Sequence, residues 1–101
     1  MGEEDIADHI QLTGFRDIDD STMEVVKKTI IKHNKRIAEL TNNVEELHIT
    51  LKKVHEREKS EKYEVHAKLV DNGRVTASEA IERNLFSAID AALEKLIHEI
   101  D

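Results

Sequence analysis

Two neighbouring stretches alternate so strictly that they fix the layering of the whole chain. In residues 44–54, VEELHITLKKV, Leu47, Ile49 and Leu51 point to one side and His48, Thr50 and Lys52 to the other. In residues 63–70, Tyr63, Val65, Ala67 and Leu69 alternate with Glu64, His66 and Lys68 in the same way. A period of two marks strands with one buried and one wet face, so the sheet they build needs a cover on one side only. Residues 55–61, HEREKSE, contain no apolar side chain and read as a charged connection between the two strands. After the second strand, Asp71-Asn72-Gly73 makes a turn into a short strand over residues 74–78. A two-residue Asn72-Gly73 turn would pair Leu69 with Thr76 and leave Val75 and Ala77 facing solvent. A three-residue loop with Gly73 left-handed pairs Leu69 with Val75 and Ala67 with Ala77, keeps the apolar set together, and is the expected form.

The cover comes from two amphipathic helices. Residues 17–22, DIDDST, supply capping side chains, with Asp20 or Ser21 the expected N-cap. Over residues 23–40, Met23, Val26, Ile30, Ile37 and Leu40 share one arc at about 100° per residue, while Lys28, Lys32, Lys35 and Arg36 occupy the opposite arc. Residues 78–83 lead into a final helix whose apolar arc holds Leu85, Ile89, Ala92, Leu93, Leu96, Ile97 and Ile100. Arg83, Ser87, Asp90, Glu94 and His98 fall away from that arc, so Asp90 belongs at the surface. Residues 9–15, with Ile10 and Leu12 on one face, form a first strand that ends at Gly14. The order strand, helix, three strands, helix describes an α+β fold. Its last three strands make an antiparallel meander, and the first joins them in parallel through a right-handed helical crossover. Each helix has one apolar stripe, so both cover the same face of a four-stranded mixed sheet.

A chain of 101 residues accommodates one such domain, expected over residues 9–101 behind a disordered acidic leader at residues 1–8. With no Cys, disulfides, thiolate metal sites and thiol catalysis are excluded. The acidic start MGEEDIADHI lacks the basic and apolar regions of a secretion signal, and no apolar run reaches membrane-spanning length, so a cytoplasmic protein with no membrane partner is expected. The formal charge of −7 is unevenly spread. Residues 1–20 carry seven acids against Arg16, a net of −6, whereas residues 25–75 carry twelve basic and eight acidic side chains, a net of +4. The middle of the domain can therefore present a basic face to an anionic partner.

Nothing in the sequence proposes catalysis. Asp90 has neither an evident partner nor a pocket among its helical neighbours, and there is no Gly-rich phosphate loop. No cofactor and no small-molecule substrate are expected. Six histidines, His9, His33, His48, His55, His66 and His98, lack close metal-ligand spacing. His48 and His66 are diagonal neighbours on the open sheet face, but two imidazoles make an incomplete site, and no metal is expected.

Three stretches carry a resemblance that spans about residues 9–100. They are Leu12-Thr13-Gly14 with DIDDST and a Lys-rich helix; the pair HITLKKV and KYEVHAKLV; and LFSAIDAALEKL following VTASEA, where Phe86, Ala88-Ile89-Asp90 and Lys95-Leu96 keep a distinctive spacing. Together they resemble the ribosome hibernation and ribosome-associated inhibitor family, also described as sigma-54 modulation or S30-type proteins, and the chain looks like a short form. In that family a basic residue commonly follows the Gly that ends the first strand; here Phe15 stands there, with Arg16 one place on. The resemblance implies a β-α-β-β-β-α fold similar to a double-stranded-RNA-binding domain. It also implies a non-catalytic regulator that binds the small ribosomal subunit and its rRNA and blocks mRNA and tRNA occupancy. Lys27, Lys28, Lys32, Lys35 and Arg36 are then candidates for rRNA phosphate contacts, with Lys52, Lys68 and Arg74 as second-rank candidates on the sheet and Lys95 as another in the matching Lys-Leu pair. A monomer is expected, with a homodimer as the alternative. Two alternatives stand beside this reading: a protein-interaction module of the same fold without ribosome binding, and a different RNA-binding domain.

Overall fold

The computed structural model describes residues 7–55 and 61–101 and has the expected element order. It comprises β1 (Ile10–Thr13), α1 (Asp20–Leu40), β2 (Val44–His55), β3 (Glu61–Asp71), β4 (Arg74–Glu82) and α2 (Leu85–Ile100). Most of the expected acidic leader and most of the charged connection at residues 55–61 lie outside the described residues. The strands run in the spatial order β1-β2-β3-β4. β1 is parallel to β2, with Ile10 opposite Leu47 and Leu12 opposite Ile49. β2 and β3 are antiparallel, with Leu47 opposite Leu69, Ile49 opposite Ala67 and Leu51 opposite Val65. The alternation read from the sequence therefore places one apolar set on one face across three strands.

Both helices bury their stripes against that face. Val26, Ile30 and Ile37 of α1, and Ala88, Ile89, Ala92, Leu93 and Leu96 of α2, are completely buried in one cluster with Leu47, Ile49, Val65 and Leu69. Each fully buried aliphatic side chain of this kind contributes about 1.5–3 kcal/mol relative to exposure. Met23, Leu40 and Ile100, expected on the apolar arcs, sit at the edge of the cluster and are partly buried. Phe15 is also buried in this core. The position after Gly14 faces inward, and the positive charge falls on exposed Arg16 instead.

The β3–β4 turn differs from the expected bulged loop. Asp71 pairs with Arg74, Val70 with Val75, Leu69 with Thr76 and Ala67 with Ser78, so the turn has two central residues, Asn72 and Gly73. Both have positive φ, 54° and 83°, which gives the backbone twist that matches antiparallel strands. Hydrogen bonds hold this register. The Asp71 carboxylate accepts from the amides of Asn42 (3.3 Å) and Asn43 (2.8 Å), and the Glu45 carboxylate accepts from the Gly73 amide at 3.0 Å. The cost anticipated for this register is present, since Val75 is 61% exposed. It is offset because the inward positions Thr76, Ser78 and Ala80 are small enough to admit Ala88 and Ala92 of α2 close to the strand. The Ser78 hydroxyl accordingly donates to the Ala92 carbonyl at 2.6 Å. With this register β4 continues through Glu82, well past the expected end at Ser78.

Helix starts also shift by a residue or two. Asp19, rather than Asp20 or Ser21, is the N-cap of α1; its carboxylate accepts from the Thr22 amide at 3.1 Å and the Thr22 hydroxyl at 2.7 Å. Those bonds, the side-chain one foremost, hold the Asp19 carboxyl below its usual value. Asn84 caps α2 by accepting from the Ser87 amide at 3.0 Å.

Gly14 has the tightest backbone requirement. Its φ is +89°, and a Cβ there would lie 2.1 Å from the Leu51 carbonyl oxygen of β2. At Gly73 nothing lies within 4 Å of the equivalent position. Gly14→Ala should therefore be far more damaging than Gly73→Ala, which bears only the left-handed penalty of about 1–2 kcal/mol; urea unfolding of the two variants measures the difference. Leu93→Ala should cost about 2–5 kcal/mol in the same assay. Asp19→Ala should lower the thermal midpoint at neutral pH, whereas Asp19→Asn should retain most of it. Because the folded-state pKa of Asp19 is depressed, the gap between wild type and Asp19→Ala should be present above the ordinary Asp range and close as pH falls through the lowered pKa.

Candidate nucleic-acid interface

The nine candidate cations occupy four separate places. Lys28, Lys32, Lys35 and Arg36 are exposed on the outer arc of α1, opposite the buried arc of Val26, Ile30 and Ile37. Lys27 lies on the flank of the same helix and is partly buried. Lys28 and Lys35 are two turns apart, about 10 Å along the axis, with Lys32 between them. Arg36 is 3.2 Å from Glu39, and both side chains are more than half exposed. An exposed pair of this kind is worth about 0–1 kcal/mol, so Arg36 exchanges partners readily. Among the described residues, no carboxylate lies within ion-pair distance of Lys28, Lys32 or Lys35. Val25, 46% exposed, sits on the same side of the helix.

The open face of the sheet is different in kind. Lys52 is opposite Glu64 in the β2–β3 register, but the Glu64 carboxylate is engaged by His66. Lys68 is 3.9 Å from Glu46, whose carboxylate also lies 3.6 Å from His48. His66 reaches Glu79 through its other ring nitrogen at 3.3 Å. His48 and Thr13 share a hydrogen bond of 2.7 Å across β1 and β2. The histidines and Lys68 on this face thus meet carboxylates or hydroxyls of the same face, whereas Lys52 has no carboxylate within ion-pair distance among the described residues. Arg74 is exposed at the β3–β4 turn. Lys95 projects from α2 and donates to the Glu79 carbonyl of β4 at 3.0 Å.

In a two-layer domain the outer arc of α1 and the open sheet face look in opposite directions, so the nine cations form no single patch. The concentrated one is on α1. Asp90 is at the surface as expected, 52% exposed, but it is not isolated: it lies 3.1 Å from His33 of α1. His33 is missing from the apolar arc read from the sequence, yet it is 3% exposed and belongs to that arc, three residues after Ile30 and four before Ile37. That position within the periodicity is the signal that would have found it.

The fold and sequence have recognisable relatives. A ribosomal subunit interface protein from Coxiella burnetii aligns with a TM-score of 0.61 and 21% identity, covering 91% of this chain and 92% of that one. The N-terminal domain of Protein Y from Thermus thermophilus aligns with a TM-score of 0.55 and 18% identity, again covering 91% of this chain and 92% of that one. Both show the same fold. No curated protein matches the chain at a significant level. The family model described as sigma 54 modulation protein / S30EA ribosomal protein matches residues 9–101, from the start of the first strand to the last residue, and the chain belongs to that family.

Proposed function

We propose that this protein is a non-catalytic regulator of translation that binds the small ribosomal subunit through the outer arc of α1 and excludes mRNA and tRNA by occupancy. Membership of a ribosome-associated modulation family supports the ribosome as partner. The observation that supports α1 as the contacting face is the row Lys28, Lys32 and Lys35, exposed and with no carboxylate within ion-pair distance among the described residues. Lys68, already paired with Glu46 on the sheet, would have to give up that partner to meet a phosphate; these three have no carboxylate within ion-pair distance to give up. An RNA backbone asks for closely spaced cations and little base readout, which a helical row of lysines supplies without a pocket. Lys27 and Arg36 extend the row, and Arg74, Lys95, Lys52 and Lys68 are secondary contacts in this reading. Inhibition by occupancy requires no reacting group, consistent with the absence of a proposed catalytic role for any residue.

A second reading is favoured by one feature. β4 is an edge strand whose outward side chains include Val75 and Ile81, 61% and 51% exposed, with Ala77 between them. An exposed apolar edge suits a protein contact, so the domain would act as a protein-interaction module of the same fold.

The two readings separate in ribosome co-sedimentation over a salt series. Wild type should pellet with small subunits at low salt and be released as salt rises. Combined charge reversal of Lys28, Lys32 and Lys35 to Glu should abolish pelleting, and single reversals should flatten the plot of log K against log salt by about 0.7–0.9 per lost phosphate contact. Failure of wild type to pellet with small subunits even at low salt would instead support the β4 reading.

A further inference from the structure

The seam between α1 and α2 holds a cluster that the ribosome reading does not use. Asp90 and Glu94, one turn apart on the same side of α2, both direct a carboxylate oxygen at His33 of α1. Asp90 Oδ1 is 3.1 Å and Glu94 Oε2 is 3.2 Å from the same ring nitrogen, Nε2. The other ring nitrogen, Nδ1, donates to the Thr29 carbonyl at 2.8 Å. That bond lies outside the cluster and fixes the tautomer: with its proton on Nδ1, neutral His33 presents a lone pair at Nε2 to two carboxylate oxygens. That arrangement calls either for a second ring proton, which Nε2 would have to share between the two carboxylates, or for a metal ion that takes all three atoms as ligands.

We propose that His33, Asp90 and Glu94 form a binding site for a divalent transition-metal ion of the Zn2+ class. The spacing fits. Ligand atoms held about 2.0–2.2 Å from one Zn2+ lie about 3.0 Å apart at right angles and about 3.4 Å apart at the tetrahedral angle, and both measured separations fall in that range. All three ligand atoms lie within 4.8 Å of one another. A metal-bound imidazole characteristically donates its remote N–H to a backbone carbonyl, which orients the ring and raises its basicity; Thr29 supplies that acceptor. The imidazole is 3% exposed, so its direction is set by packing, while Asp90 and Glu94 are 52% and 63% exposed and leave the remaining coordination positions open to water.

The second group of this kind, Glu64, His66 and Glu79 on the open sheet face, makes a useful contrast. There Glu64 meets Nε2 and Glu79 meets Nδ1. One carboxylate thus stands at each ring nitrogen, and no single nitrogen faces both. At His33 both carboxylates converge on one nitrogen, where a single N–H can point well at only one of them. A metal ion satisfies all three. The sequence gives little warning of the site, because its ligands are 57 and 61 residues apart and meet only when both helices pack on the sheet.

The site would tie α1, with its row of lysines, to α2 independently of whether that row binds ribosomes. Its test uses the full chain, stripped with a chelator and titrated with Zn2+ alone at fixed neutral pH. Isothermal titration should find a high-affinity equivalent, and the thermal midpoint should rise by about 10 °C or more when Zn2+ exceeds its Kd a hundredfold. Asp90→Asn and Glu94→Gln change exposed groups and should leave the fold intact, yet each should weaken that equivalent at least about tenfold. Glu79→Gln should leave it unchanged. No stabilisation by Zn2+ would overturn the proposal, and so would equal stabilisation of wild type and the Asp90→Asn/Glu94→Gln double variant. If the double variant lowers the midpoint without any response to Zn2+ in wild type, a proton rather than a metal fills the seam, and the proposal fails.

Discussion

The structure depends on one constraint: β2 and β3 are apolar on a single face, and that face is too large to leave uncovered. Leu47, Ile49, Val65, Ala67 and Leu69 lie essentially out of solvent there. Each helix has one stripe to offer, so both must lie on the same side, and the domain becomes one layer of helix on one layer of sheet. Every surface property follows from that division. The outer arc of α1 and the open face of the sheet are forced apart, and charges on one cannot neutralise charges on the other.

The two wet faces then differ because of sequence detail within each element. On the sheet, period-two alternation puts acidic and basic residues on one face, so that Lys68 finds Glu46 and His66 finds Glu79 across strands and Glu64 two residues back on its own strand. On α1, Lys28, Lys32 and Lys35 follow each other at helical spacing, and Glu39 is drawn to Arg36. An acidic protein thus retains an uncompensated cationic row, which net charge alone would conceal. The residue after Gly14 shows the same division of labour: Phe15 completes the core and Arg16 is left outside.

Much of this was legible in the sequence because periodicity encodes facing. The inward residues of β2 and β3, the buried arcs of both helices, the parallel entry of β1 and the surface position of Asp90 all follow from it. What periodicity missed has physical causes. At the β3–β4 turn, apolar pairing alone favours the bulged loop, but the hydrogen bonds of Asp71 and Glu45, which tie the turn to the start of β2, accompany the two-residue form. Ser78 reads as polar and outward, but it faces α2, where the Ala92 carbonyl accepts its hydroxyl. His33 occupies a position in the apolar arc of α1; its Nδ1 meets the Thr29 carbonyl on its own helix and its Nε2 faces two carboxylates from α2, neighbours that no local pattern reveals. Among the basic candidates, residue type was readable, but whether each cation already had a partner required tertiary structure.

The central proposal is that α1 is the principal ribosome contact and the open sheet face a secondary one. Lysine reactivity toward an acylating reagent, read by mass spectrometry with and without saturating small subunits, addresses it residue by residue in the unaltered protein. The account predicts strong protection of Lys28, Lys32 and Lys35, with Lys68 on the sheet remaining much closer to its free reactivity. Protection of Lys68 with an unprotected α1 row would contradict it.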